Sequence, residues 1–169
     1  MGKTSIPQAK APALAEARTI INKGAGKCKH ATLGIIRLDY DYPSSPGDID
    51  CPDSFGYDVF YKVVPGLTFE MCQAGTMSPE VDKEFEKAIA YLCDEKKVSG
   101  VTGDCGFMMW YQEKARELTK KPIFMSALSQ LPAVVCCYAE HEKIIIMTAN
   151  AKTLMPMNDL IRDECGVDT

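Results

Sequence analysis

One cysteine in a glycine-rich turn has the setting that chemistry would need. Cys105 lies in the segment Gly103–Gly106, directly after a short apolar run. A helical pattern follows at once, with one face formed by Phe107, Tyr111, Ala115 and Leu118. This order predicts a strand, a tight turn and a helix. Cys105 is then expected at the carboxyl end of the strand and the amino end of the helix.

That position favours a reactive sulfur. Free backbone N–H groups at a helix start stabilise a thiolate over a thiol, and ligands of open α/β sheets bind outside the carboxyl ends of the strands. The neighbouring Asp104 acts in the opposite direction, because a nearby carboxylate raises the pKa of a thiol. Asp104 could instead cap the helix. The structural alternative for Cys105 is an inert cysteine that packs as a small apolar side chain.

Composition excludes several classes of protein. The 169 residues suffice for one domain with a substantial core. No apolar run approaches the length of a membrane span, so no membrane partner is expected. The net charge is −4, and six of the basic side chains lie in the first 30 residues. An acidic body without a basic stripe argues against nucleic acid as a partner.

Eight cysteines without any CxxC spacing predict reduced thiols. Because no secretory signal is recognisable, we expect a reducing compartment, the cytoplasm, although the basic leader leaves organellar targeting open. The two histidines, His30 and His141, belong to no ligand cluster, so no metal site is expected.

The apolar pattern predicts an α/β fold with a parallel sheet flanked by helices. Residues 1–29 are predicted to be a flexible leader, and a polar, aromatic loop at 39–48 follows the first strand. That loop is either a substrate wall or a solvated turn. The predicted strands are 31–38, 58–64, 98–103, 122–126 and 144–148. The predicted helices are 79–97, one after Cys105, 127–139 and 156–165.

Several stretches carry a resemblance to a known family. They are Pro46–Ile49, Val64–Glu70, Thr102–Met109, Pro122–Ser126 with Gln130–Pro132, and Met147–Asn150. Over about residues 31–169 the sequence resembles the aspartate/glutamate racemase superfamily of cofactor-independent cysteine enzymes. Within it, the sequence is most similar to algal-type dimethylsulfoniopropionate (DMSP) lyases.

The resemblance implies two similar α/β domains, each of which places one cysteine beside the α-carbon of a small carboxylate substrate. Cys105 matches the first cysteine. By this comparison, residues 30–140 form the first domain and residues 141–169 begin a second, incomplete one. The second cysteine motif is absent, and Cys165 does not match it. A half of such an enzyme should expose apolar surface, so we expect a homo-oligomer.

The resemblance also implies a reaction and a set of site residues. The reaction is a cofactor-independent β-elimination of DMSP, in which Cys105 moves the α-proton and dimethyl sulfide and acrylate are formed. The alternatives are an amino-acid racemase and a non-catalytic half of such an enzyme. Aromatic and acidic side chains suit a sulfonium, and hydroxyl and amide groups suit a carboxylate, with Arg37 as a further possibility. The expected substrate-binding residues are Tyr40, Tyr42, Asp104, Ser126, Thr148 and Asn150.

Overall fold

Short apolar segments pair side by side into one parallel sheet. The computed structural model describes residues 31–168. Within them, four strands form a sheet in the order β2–β1–β3–β4, and every neighbouring pair is parallel. The strands are β1 (Leu33–Arg37), β2 (Val59–Val63), β3 (Gly100–Gly103) and β4 (Ile123–Phe124). The predicted parallel α/β fold is therefore present, and four of the five predicted strands are confirmed.

Helices connect and flank these strands. The α-helices are α1 (Phe69–Ala74), α2 (Pro79–Ala90), α3 (Gln112–Leu118), α4 (Leu131–Val135), α5 (Ala151–Leu154) and α6 (Asn158–Cys165). Shorter 3-10 segments occupy Pro52–Ser54, Gly106–Tyr111, Ala127–Gln130 and Met155–Met157, and a π-helical turn at Tyr91–Glu95 extends α2. Helix α2 begins as predicted, because Ser78 accepts a hydrogen bond from the Val81 N–H and proline occupies its first turn.

The core forms between the sheet and the helices. Three successive residues of β1, Gly34–Ile36, are buried, which is typical of a parallel strand covered on both faces. The predicted apolar stripe of α2 faces this core, and Phe85 and Ile89 in it are fully buried. Burial of each such side chain contributes about 2 kcal/mol.

The last helix joins the same core. Helix α6 buries Ile161, and the turn before it buries Met157. Arg116 of α3 donates two hydrogen bonds to the Glu164 carboxylate, at 2.8 and 3.0 Å. Gly166 ends α6 in the left-handed conformation, where the sequence predicted its end.

Two predicted elements are wrong. Residues 144–148 form no strand, and the side chains of Ile145 and Met147 are 84% and 95% exposed. An apolar run becomes a strand only where a neighbour offers a hydrogen-bonding edge, and no described strand pairs with this run. The helix predicted over 127–139 is a 3-10 turn followed by α4, which ends at Val135. Pro132 sets the first turn of α4, and residues 136–138 are exposed and have no core face to extend it.

The predicted leader at 1–29 lies outside the described residues, and the boundary at residue 140 stays a prediction. No helix in the described part of the chain is both long and apolar enough to cross a bilayer.

Candidate active site

The backbone at the end of β3 is packed too closely to accept a side chain. This packing fixes the path of the chain into Cys105. A Cβ on Gly103 would lie 2.6 Å from the Met125 carbonyl oxygen and still closer to the Met108 sulfur. The chain then turns through Asp104 into the 3-10 segment at Gly106–Tyr111, for which Cys105 is the N-cap residue. The predicted strand and turn are confirmed, whereas the helix begins in the tighter 3-10 form.

Cys105 is half-buried, and several groups act on its sulfur. The nearby thiol of Cys72, in α1, lowers the Cys105 pKa. Burial opposes this effect, and the backbone N–H groups of Phe107 and Met108 add to it. The charge of Asp104 raises the pKa, as expected from the sequence, but the net direction is downward. The arrangement therefore favours a thiolate at Cys105.

The pKa of Cys72 shifts in the opposite direction to that of Cys105. The side chain of Cys72 is fully buried, and the nearby Cys105 side chain together with burial raises its pKa. The Tyr111 hydroxyl lies beside it and donates to the Met71 and Thr76 carbonyls, each at 3.1 Å. Burial also raises the Tyr111 pKa. Cys72 and Tyr111 therefore both stay protonated at neutral pH.

Asp104 does not cap the following helix, and that sequence-based alternative is wrong. Its Oδ2 atom instead accepts a hydrogen bond from the Leu38 N–H at 2.9 Å, which ties the turn after β3 to the end of β1. Its Oδ1 atom is buried and has no hydrogen-bond partner among residues 31–168. Burial raises the Asp104 pKa to about 7, and the nearby Asp50 charge adds to the effect.

Cys105 opens onto a cavity of about 1030 Å³. The cavity lies where the sheet order reverses, because the chain passes from β1 to β2 on one side and returns to β3 on the other. Its walls are mostly apolar and come from the segments after β1, β2, β3 and β4 and from residues 146–149. They include Leu38, Tyr40, Tyr42, Phe69, Phe107, Leu128, Leu131, Val134, Ile146 and Thr148. A smaller cavity of about 440 Å³, with Thr102, Ser126 and Ser129 in its wall, meets Cys105 from another side.

Two of the predicted aromatic residues, Tyr40 and Tyr42, lie together in the wall of the larger cavity. Their ring centroids are 5.5 Å apart, and the residues are 39% and 40% exposed. The Tyr40 hydroxyl donates to the buried carboxylate of Asp50, which also accepts from the Arg37 Nε at 3.0 Å. Arg37 is thus committed to Asp50 and does not line either cavity, so the sequence-based suggestion that it binds substrate is not supported.

The three hydroxyl and amide candidates, Thr148, Ser126 and Asn150, have different surroundings. Thr148 lines the larger cavity. Ser126 is buried, donates to the Gly106 carbonyl at 2.6 Å and accepts from the Leu128 N–H, so it braces the cysteine turn. Asn150 caps α5 through the Lys152 N–H and lines neither cavity. Capping was the structural alternative for this residue.

Sequence reasoning missed two residues of the site. Cys72 lies in a stretch of ambiguous periodicity, although Thr68 as an N-cap and Gly75 as a helix end mark α1. Nothing in the sequence pairs residue 72 with residue 105. Asp50 follows a polar loop that contains three other aspartates, Asp39, Asp41 and Asp48, so no local pattern reveals its burial.

The known proteins that this chain resembles are named DMSP lyases. The chain is 60% identical over 141 residues to "Dimethylsulfoniopropionate lyase 7" of Emiliania huxleyi (strain CCMP1516). The match covers 83% of this chain and 41% of that protein. It is 51% identical over 140 residues to "Dimethylsulfoniopropionate lyase" of Durusdinium sp. clade D, covering 83% and 46%. It is 31% identical over 137 residues to "Dimethylsulfoniopropionate lyase 2" of Emiliania huxleyi, covering 76% and 38%.

The chain is therefore homologous to algal DMSP lyases and spans less than half the length of these relatives. No protein-family model matches it. No solved structure matches it either, so the racemase-like fold stays a prediction.

Proposed function

We propose that this chain supplies the Cys105-bearing part of a DMSP lyase, a carbon–sulfur lyase that forms dimethyl sulfide and acrylate. The observation that carries the proposal is a half-buried cysteine with a lowered pKa at the mouth of an aromatic cavity. The 60% identity to a protein named for this reaction supports it. Cytoplasmic location and homo-oligomeric assembly stay predictions.

In the proposed reaction, the Cys105 thiolate removes a proton from the α-carbon of DMSP. The electron pair of that C–H bond becomes the double bond of acrylate, and the bond between the β-carbon and sulfur breaks. Its electron pair leaves with the sulfur, which departs as neutral dimethyl sulfide, while Cys105 becomes a thiol. Such a base must come within hydrogen-bond reach of the proton, which requires a precisely held substrate.

The walls of the larger cavity suggest how DMSP is oriented. The Tyr40 and Tyr42 rings face a common space and suit a sulfonium through cation–π contact. The Thr148 hydroxyl, on another wall, suits the carboxylate. Ser126 acts indirectly in this scheme, because it holds the Gly106 backbone beside Cys105. Asp104, next to Cys105, places further negative potential near the sulfonium when it is ionised, above its pKa of about 7.

The test uses a chimera in which this chain replaces the matching 141 residues of Emiliania huxleyi lyase 7. The chimera is incubated with DMSP, and dimethyl sulfide in the headspace is measured. We expect release, and we expect Cys105→Ser to reduce it by about 100-fold or more, because a positioned base contributes that much. Cys136→Ser removes an exposed thiol outside both cavities and should leave the rate unchanged.

Two results would contradict the proposal. A folded chimera that releases no dimethyl sulfide while the parent lyase does would remove the assigned activity. A Cys105→Ser chimera with the parent rate would show that another group takes the proton.

A further inference from the structure

A buried carboxylate that the proposed elimination does not use supports the aromatic wall of the larger cavity. The Asp50 side chain is 1% exposed. One of its oxygens accepts a hydrogen bond from the Arg37 Nε at 3.0 Å, and the other accepts from the Tyr40 hydroxyl. Tyr40 lines the larger cavity, whereas Asp50 lines neither cavity. The carboxylate therefore acts on the wall from outside the space that a ligand would fill.

The loop that carries Asp50 is anchored on both sides of this residue. The Tyr61 hydroxyl, from β2, donates to the Ile49 carbonyl at 3.0 Å. The Cys51 N–H donates to the Asp48 carbonyl at 3.2 Å. The fold therefore sets the position of the Asp50 carboxylate, and the ion pair forms at a place that the backbone has already determined.

The Arg37 guanidinium places a positive charge close to the same wall. Its central carbon lies 5.7 Å from the centroid of the Tyr40 ring, and Arg37 lines neither cavity. A ligand cation on the cavity side of this ring would lie within about 6 Å of the centroid. The two positive charges would then be about 10 Å apart, and they would repel each other.

We propose that Asp50 is a positioning residue that anchors the Tyr40 ring and cancels the Arg37 charge behind it, so that the wall binds a cation more tightly than a neutral group of the same shape. The charged side chains that act on the Tyr40 hydroxyl are Arg37, Asp50 and Asp104. When both carboxylates are ionised, one positive and two negative charges leave a net negative charge, which favours a cation. Without the Asp50 charge, this balance is neutral.

The proposal deepens the proposed function and rests on it for the class of ligand. The test therefore measures binding and not turnover. The cationic probe is 3-(trimethylammonio)propionate, in which a quaternary ammonium replaces the sulfonium, and the neutral-headed probe is 4,4-dimethylpentanoate, which has the same shape. Dissociation constants are measured by isothermal titration calorimetry at pH 8, above the Asp104 pKa of about 7. Every form of the full chain carries Cys105→Ser, so that no elimination occurs.

Three variants separate the charge of Asp50 from its structural role. Asp50→Asn keeps an oxygen acceptor, and we expect roughly tenfold weaker binding of the cationic probe, because an uncancelled charge about 10 Å away has about that effect. Binding of the neutral-headed probe should change less than about twofold. Arg37→Gln combined with Asp50→Asn removes both charges and should restore binding of the cationic probe. Asp53→Asn, at an exposed carboxylate in the same loop and outside both cavities, is the control and should change neither constant.

Several results would overturn the proposal. The unmodified wall would lack the assigned selectivity if it bound both probes equally or neither. Equal weakening of both probes by Asp50→Asn, or no recovery in the double variant, would mean that the Asp50 charge does not set the selectivity. If Asp50→Asn does not fold, Arg37→Gln is measured alone; cationic binding should be retained or tighter, and weaker binding overturns the proposal. A selective chain whose lyase chimera releases no dimethyl sulfide would refute the proposed function and support this inference.

Discussion

Removal of one buried charge should make the stability of this protein less dependent on pH. Asp104 has one oxygen that accepts from the Leu38 N–H and one buried oxygen without a partner in the described part of the chain. Asp104→Asn keeps an oxygen acceptor for Leu38 and has no charge to bury. The substitution therefore tests whether the ionised carboxylate is costly in the folded protein.

The size of the effect follows from the pKa. Burial raises the Asp104 pKa from 3.8 to about 7. Between these pH values the folded protein holds a proton that the unfolded chain has lost, so stability falls as the pH rises from about 4 to about 7. One pKa unit corresponds to about 1.4 kcal/mol, which sets an upper limit of about 4 kcal/mol. Because the side chain retains some contact with solvent, we expect about 2 kcal/mol.

The assay is urea unfolding followed by circular dichroism at pH 4.5 and pH 8. The free energy of unfolding of Asp104→Asn is compared with that of the unmodified chain at each pH. This difference should be about 2 kcal/mol more favourable to the variant at pH 8 than at pH 4.5. Asp58→Asn, at an exposed carboxylate, is the control and should show no such gain. If the free-energy difference between Asp104→Asn and the unmodified chain is the same at both pH values, Asp104 is not a strained anion and the reasoning is refuted.

Three further predictions concern the supports of the site. Gly103→Ala should cost about 2 kcal/mol in urea unfolding, since its Cβ would meet the Met125 carbonyl; an unchanged midpoint would show that β3 and β4 separate freely. Asp50→Ala should cost about 2–3 kcal/mol because it leaves Arg37 without its carboxylate, whereas Asp50→Asn should cost less because its amide oxygen can still accept from Arg37; equal losses would mean that this retained acceptor contributes nothing. In the lyase chimera, Tyr42→Ala should raise KM for DMSP roughly fivefold with kcat retained, and a fall in kcat alone would contradict a role in sulfonium binding.

The sequence predicts the sheet and the cysteine turn well because their signals are local. The apolar runs of β1 and β3, the cap at Ser78 and the glycines around Cys105 each determine nearby backbone without distant partners. The segment at 144–148 shows the limit of this approach. Its residue types favour a strand, but strand formation depends on a neighbouring edge that composition does not specify.

The site is less predictable because its decisive contacts join distant residues. Cys105 and Tyr40 could be selected from their places after strands. Cys72 is 33 positions before Cys105, and only the packing of α1 on the 3-10 segment brings the two thiols near each other. Asp50 becomes important through Arg37 and Tyr40, which also approach it only in the folded chain.

The absence of sheet pairing at 144–148 gives the larger cavity two walls of different character. The wall formed by the segments after β1 and β3 is anchored to the ladder between these strands, and Gly103 tolerates no added atom. The opposite wall, at 146–149, is extended chain without a ladder in the described structure. Substitutions there can reshape the cavity without breaking the sheet, so the volume in front of Cys105 can change on that side while the turn that holds the cysteine stays in place.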